Sequence, residues 1–363
     1  MAEKNDLSLK QRASLRTQLT PKLWGRIKLS NFMDLQEDDY RSFVRELETD
    51  PLFRRLAALE NPDERIFSRR RFPGTDLVRN FCEINEETMA GASSPDLQPV
   101  LDKWQGLLPV IRKMGMDNFK RFFLYDETGL DMGDTVKACG LTPAQVASVR
   151  EMVTDLNVLD LAQPTSPGPL AALGGVKVAS VEPAPGEPGT FQIEFSSAHD
   201  ARGCYAINYK KLYELNKQGK FSAEEWRSIQ RLLKNAELVN TRQTALYRIL
   251  KKLVTAQTGY FKTGKAEDLR PLTQQMLAKE LGVHRSTVNR AVSARFLQTP
   301  WGDVKPLKSF LANLKRCAQN YLGLLDPAAR AALPGEELRR LLAERFGINL
   351  ADRTVRAYRQ GVR

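Results

Sequence analysis

The sequence predicts a mainly α, multidomain protein, with helical bundles and helix-turn-helix units and one small β element. Three observations predict it. A chain of 363 residues is too long for one compact core and suits two to four domains of about 100–200 residues each. Apolar residues at 42% and charged residues at 27% are ordinary for a globular chain and exclude wholesale disorder. Apolar residues recur at helical spacing almost throughout, and strand-like alternation is confined to residues 176–208.

In chain order, Thr20-Pro21 opens a helical segment, because the Thr hydroxyl can cap and Pro is preset for the first turn. Leu23, Ile27 and Leu29 follow, then Tyr40, Phe43, Val44 and Leu47 at helical spacing, and Pro51 ends the run. Residues 60–95 carry little periodicity, with Pro62, Pro73, Gly74 and a Gly-Ala-Ser-Ser-Pro stretch at 91–95, and read as a linker. Helical periodicity returns over 96–160. Leu97, Val100, Leu101, Trp104, Leu107 and Leu108 form one face, and Phe119, Phe122 and Phe123 form another cluster. A Pro/Gly-rich break at 163–175 precedes the β element. There Val176, Val178 and Val181 alternate, a loop EPAPGEPG intervenes, Phe191, Ile193 and Phe195 alternate, and CYAIN at 204–208 completes a small sheet. Residues 222–258 predict long helices, and everything beyond predicts short helices divided by Gly and Pro.

Charge separates the two ends of the chain. The formal net charge is +12, yet residues 241–363 hold 23 Lys+Arg against 9 Asp+Glu, a surplus of 14, which leaves the first 240 residues at −2. A nearly neutral part joined to a strongly basic part predicts a polyanionic partner for the C-terminal part alone, with nucleic acid the leading candidate. An anionic membrane surface fits less well, because the basic residues are interleaved with turn signals rather than lying along one amphipathic helix. No run of about 18 apolar residues exists to span a bilayer. The opening MAEKNDLSLKQR has no apolar signal core, so the expected location is the cytoplasm. Cys82, Cys139, Cys204 and Cys317 lie far apart with no CxxC pair, which argues against a zinc ribbon and against a secreted disulfide framework. Only His199 and His284 offer imidazoles, and no Ser/His/Asp set, metal-ligand cluster or paired carboxylates at helical spacing stands out. The expectation is a protein without enzymatic activity, metal or cofactor.

The strongest local pattern is TQQMLAKELGVHRSTVNRAV at 273–292. Thr273 can cap a helix whose inner face carries Leu277, Ala278 and Leu281. Ala278 is small, as a close helix crossing requires, and Gly282 can take the positive φ of a tight turn. Val283 and Val288 then anchor a second helix, the spacing of a helix-turn-helix unit whose second helix enters the major groove. Arg285, Ser286, Asn289 and Arg290 face outward on it, and with Thr287 they are the candidate DNA contacts. Arg pairs bidentately with guanine, and Asn with adenine. A related pattern lies at 336–359. Ala343 and Gly347 repeat the Ala-to-Gly spacing, but Val355 arrives two residues later than Val288 implies, so the turn is longer. Ala351, Val355, Tyr358 and Val362 make the apolar face of its last helix, with Arg353, Arg356, Arg359 and Arg363 on the other sides. Arg353, Thr354, Arg356, Tyr358 and Arg359 are the candidate contacts there. A third copy at 131–150 pairs Gly140 with Val146, but its second helix opens on Thr142, Pro143, Ala144 and Gln145 with no positive charge, so it reads as a protein-facing hairpin.

Two near-matches have simpler readings. GYFKTGKA at 259–266 approaches GxxxxGK[ST], but Ala266 stands where the magnesium-binding hydroxyl belongs and a helix, not a strand, precedes it. HDAR at 199–202 echoes the His-x-x-Arg of tyrosine recombinases, but it lies within the β element, ahead of the basic part.

With these features in place, the chain resembles the bacterial sigma-54 (RpoN) transcription factors over most of its length. ADRTVRAYR at 351–359 resembles the family's signature box ARRTVAKYR, and LLAERFGINL fits the approach to it. LAKELGVHRSTVNRAVSARFLQTPWG at 277–302 resembles the family's helix-turn-helix and its TPRG-like turn, and NTRQTALYRILKKLVTAQTGYFKTG at 240–264 the long helix before it. INYKKLYEL is similar to the INPxYxxLL stretch, and LTPKLWGRIKLSNFMDL and VRELETDPLF to the activator-responsive region. The resemblance implies five parts: an activator-responsive region at 1–58, a linker at 59–95, a core RNA polymerase-binding domain at 96–240, a long helix with the helix-turn-helix at 241–325, and the RpoN-box domain at 326–363. It also implies partners. These are core RNA polymerase, promoter DNA with GG and GC elements at −24 and −12, and an ATP-hydrolysing activator of the AAA+ class. The chain departs from the family where Asp352 replaces a usual Arg, Ala357 a usual Lys and Arg356 a usual small residue. Arg285 stands where Glu is common and Asn289 where Ser is common. Basic RIFSRRR replaces an acidic linker, and LAQPTSPGP replaces GVGARD.

Overall fold

A computed structural model describes residues 29–57, 65–77, 103–125, 132–162 and 175–360. The readings made on Thr20-Pro21, Leu23, Ile27, residues 91–101, the break at 163–174, Val362 and Arg363 lie outside the described residues.

Helix α1 spans Leu29–Met33 and α2 spans Glu37–Thr49. Glu37, Asp38 and Asp39 open α2, where negative charge favours the helix N-terminus, and Tyr40, Phe43, Val44 and Leu47 form its buried face. Helix α3, Pro51–Ala57, starts at once because Asp50 accepts from the Leu52 and Phe53 amides at 2.8 and 3.2 Å. Two strands then occupy part of the stretch read as a linker: β1, Phe67–Arg70, and β2, Thr75–Leu77. They escape a hydropathy reading because the inward positions of β1 are Phe67 and Arg69, and Arg69 is buried by pairing with Glu48.

Helix α4 covers Leu108–Met114 and α5 Met116–Phe119, with a π turn at Lys120–Leu124. Helices α6, Met132–Cys139, and α7, Pro143–Ala162, form the third hairpin, turning at Gly140 with φ 63°. Phe122, Phe123, Leu141, Val146, Val149, Met152 and Val153 make a core of their own there. Next come β3, Val176–Pro183, and β4, Phe191–Phe195, then a short α8, Ala198–Ala201, and β5, Cys204–Ile207. Asn208 caps α9, Tyr209–Lys217, and a Ser222/Glu225 capping box starts α10, Ala223–Ala256. The 34 residues of α10 make a rod about 51 Å long. Helix α11, Thr258–Thr263, leads to α12, Gln274–Leu281, and α13, Arg285–Val292. Strands β6, Arg295–Gln298, and β7, Val304–Pro306, precede α14, Leu314–Leu322, α15, Pro327–Ala332, α16, Gly335–Phe346, and α17, Asp352–Gln360.

The β part corrects the expectation of one three-run element. β3 and β4 do pair antiparallel, with Val181 opposite Ile193, but β5 pairs with β1 in a separate two-stranded ribbon. Gly203 allows that approach: at φ 72° a Cβ there would lie 2.2 Å from the Arg70 carbonyl oxygen. The larger sheet has the order β2-β4-β3-β6-β7, so strands on either side of the long helix share one sheet.

Helix α10 also crosses the boundary drawn at 240. Its first half buries Ile229, Leu232, Ala236 and Val239 with the α2 face and Leu212; its second half buries Leu246, Ile249, Leu250 and Leu253 with the sheet, α12 and α13. Each such Leu, Ile or Val side chain contributes about 1.5–3 kcal/mol of burial. One rod therefore serves two cores, and residue 240 is interior to it.

Candidate nucleic-acid interface

The first hairpin forms as its residue types require. The Thr273 hydroxyl accepts from the Met276 amide at 3.2 Å, Leu277 and Ala278 are buried on the inner face of α12, and Gly282 turns the chain at φ 65° and ψ 32°. His284 caps α13, its Nδ1 accepting from the Ser286 amide at 3.2 Å, and Val288, Ala291 and Val292 seat the helix on the core. Arg285 and Asn289 are exposed on the outer face, with Ser286 and Thr287 half-buried beside them. Gln274 Nε2 donates to Asn289 Oδ1 at 3.3 Å.

Arg290 differs from the other candidates. Its Nε pairs with Asp34, just after α1, at 2.9 Å, so the N-terminal segment holds one predicted DNA contact. A second tie lies behind the helix. Buried Arg295 donates to the Arg290 and Ala291 carbonyls at 3.2 and 2.8 Å, placing a cation at the C-terminus of α13. Arg295 also pairs with Glu37 at 3.3 Å, and Glu37 pairs with Arg242 of α10 at 2.9 Å. Burial opposes ionisation of Glu37, but Arg242 and then Arg295 outweigh it and hold the carboxyl below its usual range. A single carboxylate thus joins α2, the long helix and the strand that follows α13.

Sequence reasoning missed the β6-β7 hairpin. Thr299 and Asp303 close it, the Thr299 amide donating to the Asp303 carbonyl at 2.8 Å, and Gly302 turns at φ 91°. Trp301 is exposed at the tip and donates Nε1–H to Asp303 at 3.0 Å. Strands of four and three residues carry too little alternation to be read, and β6 finds its parallel partner, β3, far upstream. The only available signal was the turn chemistry of TPWGD. The hairpin makes the unit a winged helix-turn-helix. Lys308 was also missed: it is exposed and lines a 380 Å³ cleft with Thr273, Gln274, Gln275, Arg285, Leu311 and Asn313.

The C-terminal hairpin buries Leu338, Leu342 and Val355 with Ala318 and Leu322 of α14. Gly347, at φ 68°, opens a turn of five residues between α16 and α17, longer than the three of the first hairpin, as the late Val355 predicts. Arg353 and Arg356 are exposed and Thr354 is half-buried. Tyr358 packs against the apolar cluster, and Arg359 donates to the Leu333 carbonyl at 3.2 Å, so these two are partly committed to the fold. Asp352 sits in the first turn of α17 and faces Arg339 at 3.4 Å, which accommodates a negative charge in this basic box.

The remaining motifs fall as their simpler readings predict. Thr142 and Gln145 cap α7 reciprocally at 2.9 and 3.2 Å. GYFKTGKA is the end of α11 and a polar loop, with Gly264 left-handed at φ 73°. His199 is buried. Arg69 can only donate, so His199 Nδ1 accepts from it at 2.9 Å, and Nε2–H donates to the Tyr40 hydroxyl oxygen at 3.2 Å. Burial first, and then the Arg69 charge, push its pKa well below the ordinary value, so the ring is neutral.

Comparison with known proteins bears on the same segment. The family model described as "Sigma-54, DNA binding domain" matches residues 220–321, from the cap of α10 to the end of α14. The RNA polymerase sigma-54 factor of Bacillus subtilis is 31% identical over 147 residues, 38% of this chain and 32% of that protein. RNA polymerase sigma-54 factor 2 of Bradyrhizobium diazoefficiens is 24% identical over 253 residues, 64% of this chain and 44% of that protein. The matches therefore span less than half the length of these curated relatives. The crystal structure of Aquifex aeolicus sigmaN bound to promoter DNA aligns with 73% of this chain and 96% of its own, at 19% identity and a TM-score of 0.34. The DNA-binding-domain match covers the long helix and the winged hairpin, and over this segment the chain is similar to sigma-54 factors.

Proposed function

We propose that this chain is a sigma-54-type transcription initiation factor. In this reading it binds core RNA polymerase through the middle of the chain, 96–240, and directs it to promoters with GG and GC elements at −24 and −12. It has no enzymatic activity and needs no metal or cofactor; an AAA+ activator supplies the ATP hydrolysis that permits opening. The observation that carries the reading is the pair of outward-facing basic helices on the +14 part of the chain: α13 with Arg285 and Asn289, and α17 with Arg353 and Arg356. Arg285 suits guanine and Asn289 adenine, with Ser286, Thr287, Thr354 and Arg359 supporting phosphate contacts. Lys308 adds a cation beside Arg285 in the same cleft. Release of Arg290 from Asp34 would complete the first surface, a step suited to an activator acting on the N-terminal segment.

A gel shift with core polymerase tests this. Core polymerase is added to a GG/GC probe with and without the protein, against a probe with both elements scrambled. A specific supershift that needs both proteins is the expected result. A shift by this protein alone that never recruits polymerase would overturn it in favour of a stand-alone helix-turn-helix regulator.

A further inference from the structure

The two basic helices belong to separate hairpins, and the structure joins those hairpins at a place neither motif predicts. Arg345, in the last turn of α16, reaches Asp268 at 2.5 Å and the Glu267 carbonyl at 3.3 Å. Arg270 returns the contact by donating to the Arg345 carbonyl. Asn320 of α14 donates to the Ala266 carbonyl at 3.0 Å, and the Arg345 guanidinium lies 5.6 Å from the centre of the Tyr321 ring. Asp268 is itself fixed by the Thr263 hydroxyl at 2.6 Å; this bond first, and then Arg345, lower its pKa.

The position of each end matters. Asp268 stands five residues before Thr273, the cap of α12, and Arg345 two residues before Gly347, the turn that aims α17. Helix α14 adds a rigid element common to both sides, with Cys317 in the core beneath the first hairpin and Ala318 and Leu322 in the core beneath the second. Rotation of one hairpin against the other therefore has to break the Asp268–Arg345 contact.

We propose that Asp268 and Arg345 form a brace that fixes the two DNA-facing hairpins in one register, so that the pair sets which separation between two DNA elements the chain accepts. Neither residue touches DNA in this account; both are positioning residues. The proposal rests on the reading of α13 and α17 as DNA contacts. A change of one base pair between elements moves the second by about 3.4 Å and turns it by about 34°, a displacement that a braced pair cannot follow and a released pair can.

The test uses the full chain and measures binding to probes carrying both elements at their usual separation, at one base pair more and at one less, and to single-element and scrambled probes. Asp268→Asn keeps the shape of the side chain and removes its charge. The wild-type protein is expected to lose about tenfold in affinity for a one-base-pair change, in the range of a single mismatch. D268N and Arg345→Gln are each expected to reduce that loss to about threefold or less while single-element binding stays unchanged. Asp268→Lys combined with Arg345→Glu, which restores an ion pair of reversed polarity, is expected to recover discrimination. A wild-type spacing penalty in both single variants overturns the brace, as does an equal loss on every probe, which would mark a merely structural role. Failure of the wild-type protein to prefer the two-element probe over the scrambled one is a separate result: it overturns the DNA reading, and the brace with it.

Discussion

Glu48 offers a quantitative test of how the N-terminal helices are held. Its side chain is buried at 7% exposure, with Arg69 and Tyr205 hydrogen-bonded to it and Arg202 at 3.8 Å; the Tyr205 hydroxyl donates at 2.9 Å. Burial alone would raise its pKa, but Arg69 and then Arg202 reverse the sign and bring it from 4.5 to about 2. That difference, about 2.5 pKa units at 1.36 kcal/mol each, corresponds to about 3 kcal/mol of stability. Because the folded pKa is the depressed one, this contribution is complete above pH 4.5 and is lost as the pH falls through that value towards about 2. Glu48→Gln removes the charge that the buried Arg69 and the half-buried Arg202 guanidinium groups face, an uncompensated burial that costs about 3–5 kcal/mol. Urea unfolding at pH 7 and pH 3, followed by tryptophan fluorescence and far-UV circular dichroism, measures both effects. The variant should be less stable by about 3–5 kcal/mol at pH 7, and its stability should fall less than the wild type's between pH 4.5 and pH 3. A loss below about 1 kcal/mol at pH 7, or an acid slope identical to the wild type, would refute the reasoning.

Four further outcomes are expected. Arg353→Ala should weaken promoter binding by about 1–3 kcal/mol in an anisotropy titration; a loss indistinguishable from zero removes that residue from the interface. Lys308→Ala should weaken binding to specific and scrambled probes alike and lower the slope of log affinity against log salt by about 1, whereas a sequence-selective loss would exclude phosphate contact. Asp200 behaves oppositely to Glu48: burial first, and then the nearby Glu37, raise its pKa from 3.8 to about 6. Its neutral form is the one the fold prefers, so stability is complete below about pH 4 and is lost as the pH rises through 6. Asp200→Asn should stabilise the protein by about 2–3 kcal/mol at pH 7.5 and leave it unchanged at pH 4, read as melting temperatures. Asp34→Ala should free Arg290 at a stability change within about 1 kcal/mol, since the pair is partly exposed, and should raise DNA affinity; an unchanged affinity would separate that contact from recognition.

Much of this architecture was legible in the residue order because it is local. Thr273, Ala278, Gly282 and Val288 specify a hairpin by cap, close crossing, left-handed turn and anchor, each within a few residues of the next. The same grammar reads the C-terminal hairpin down to its longer turn, and the bland readings of GYFKTGKA and HDAR follow from local context. Charge is a sum over residues, so the basic part, and with it the expectation of a polyanion partner, needed no coordinates. What the order did not carry was pairing at a distance. β1 looks like linker because Arg69 fills an inward position that Glu48, Tyr205, His199 and the Gly203 carbonyl, all from other elements, make tolerable. β6 and β7 are too short to show a period and exist because β3 supplies an edge. Arg290 and Arg359 read as surface cations until Asp34 and the Leu333 carbonyl are brought to them. The sequence by itself determined which segments are helical, where they turn and which part carries the positive charge, since propensity, capping and composition act over a few residues. Tertiary structure alone decided which cations remain exposed and how the two hairpins are set against each other, because ion pairs and strand ladders join groups whose separation along the chain says nothing of their separation in space.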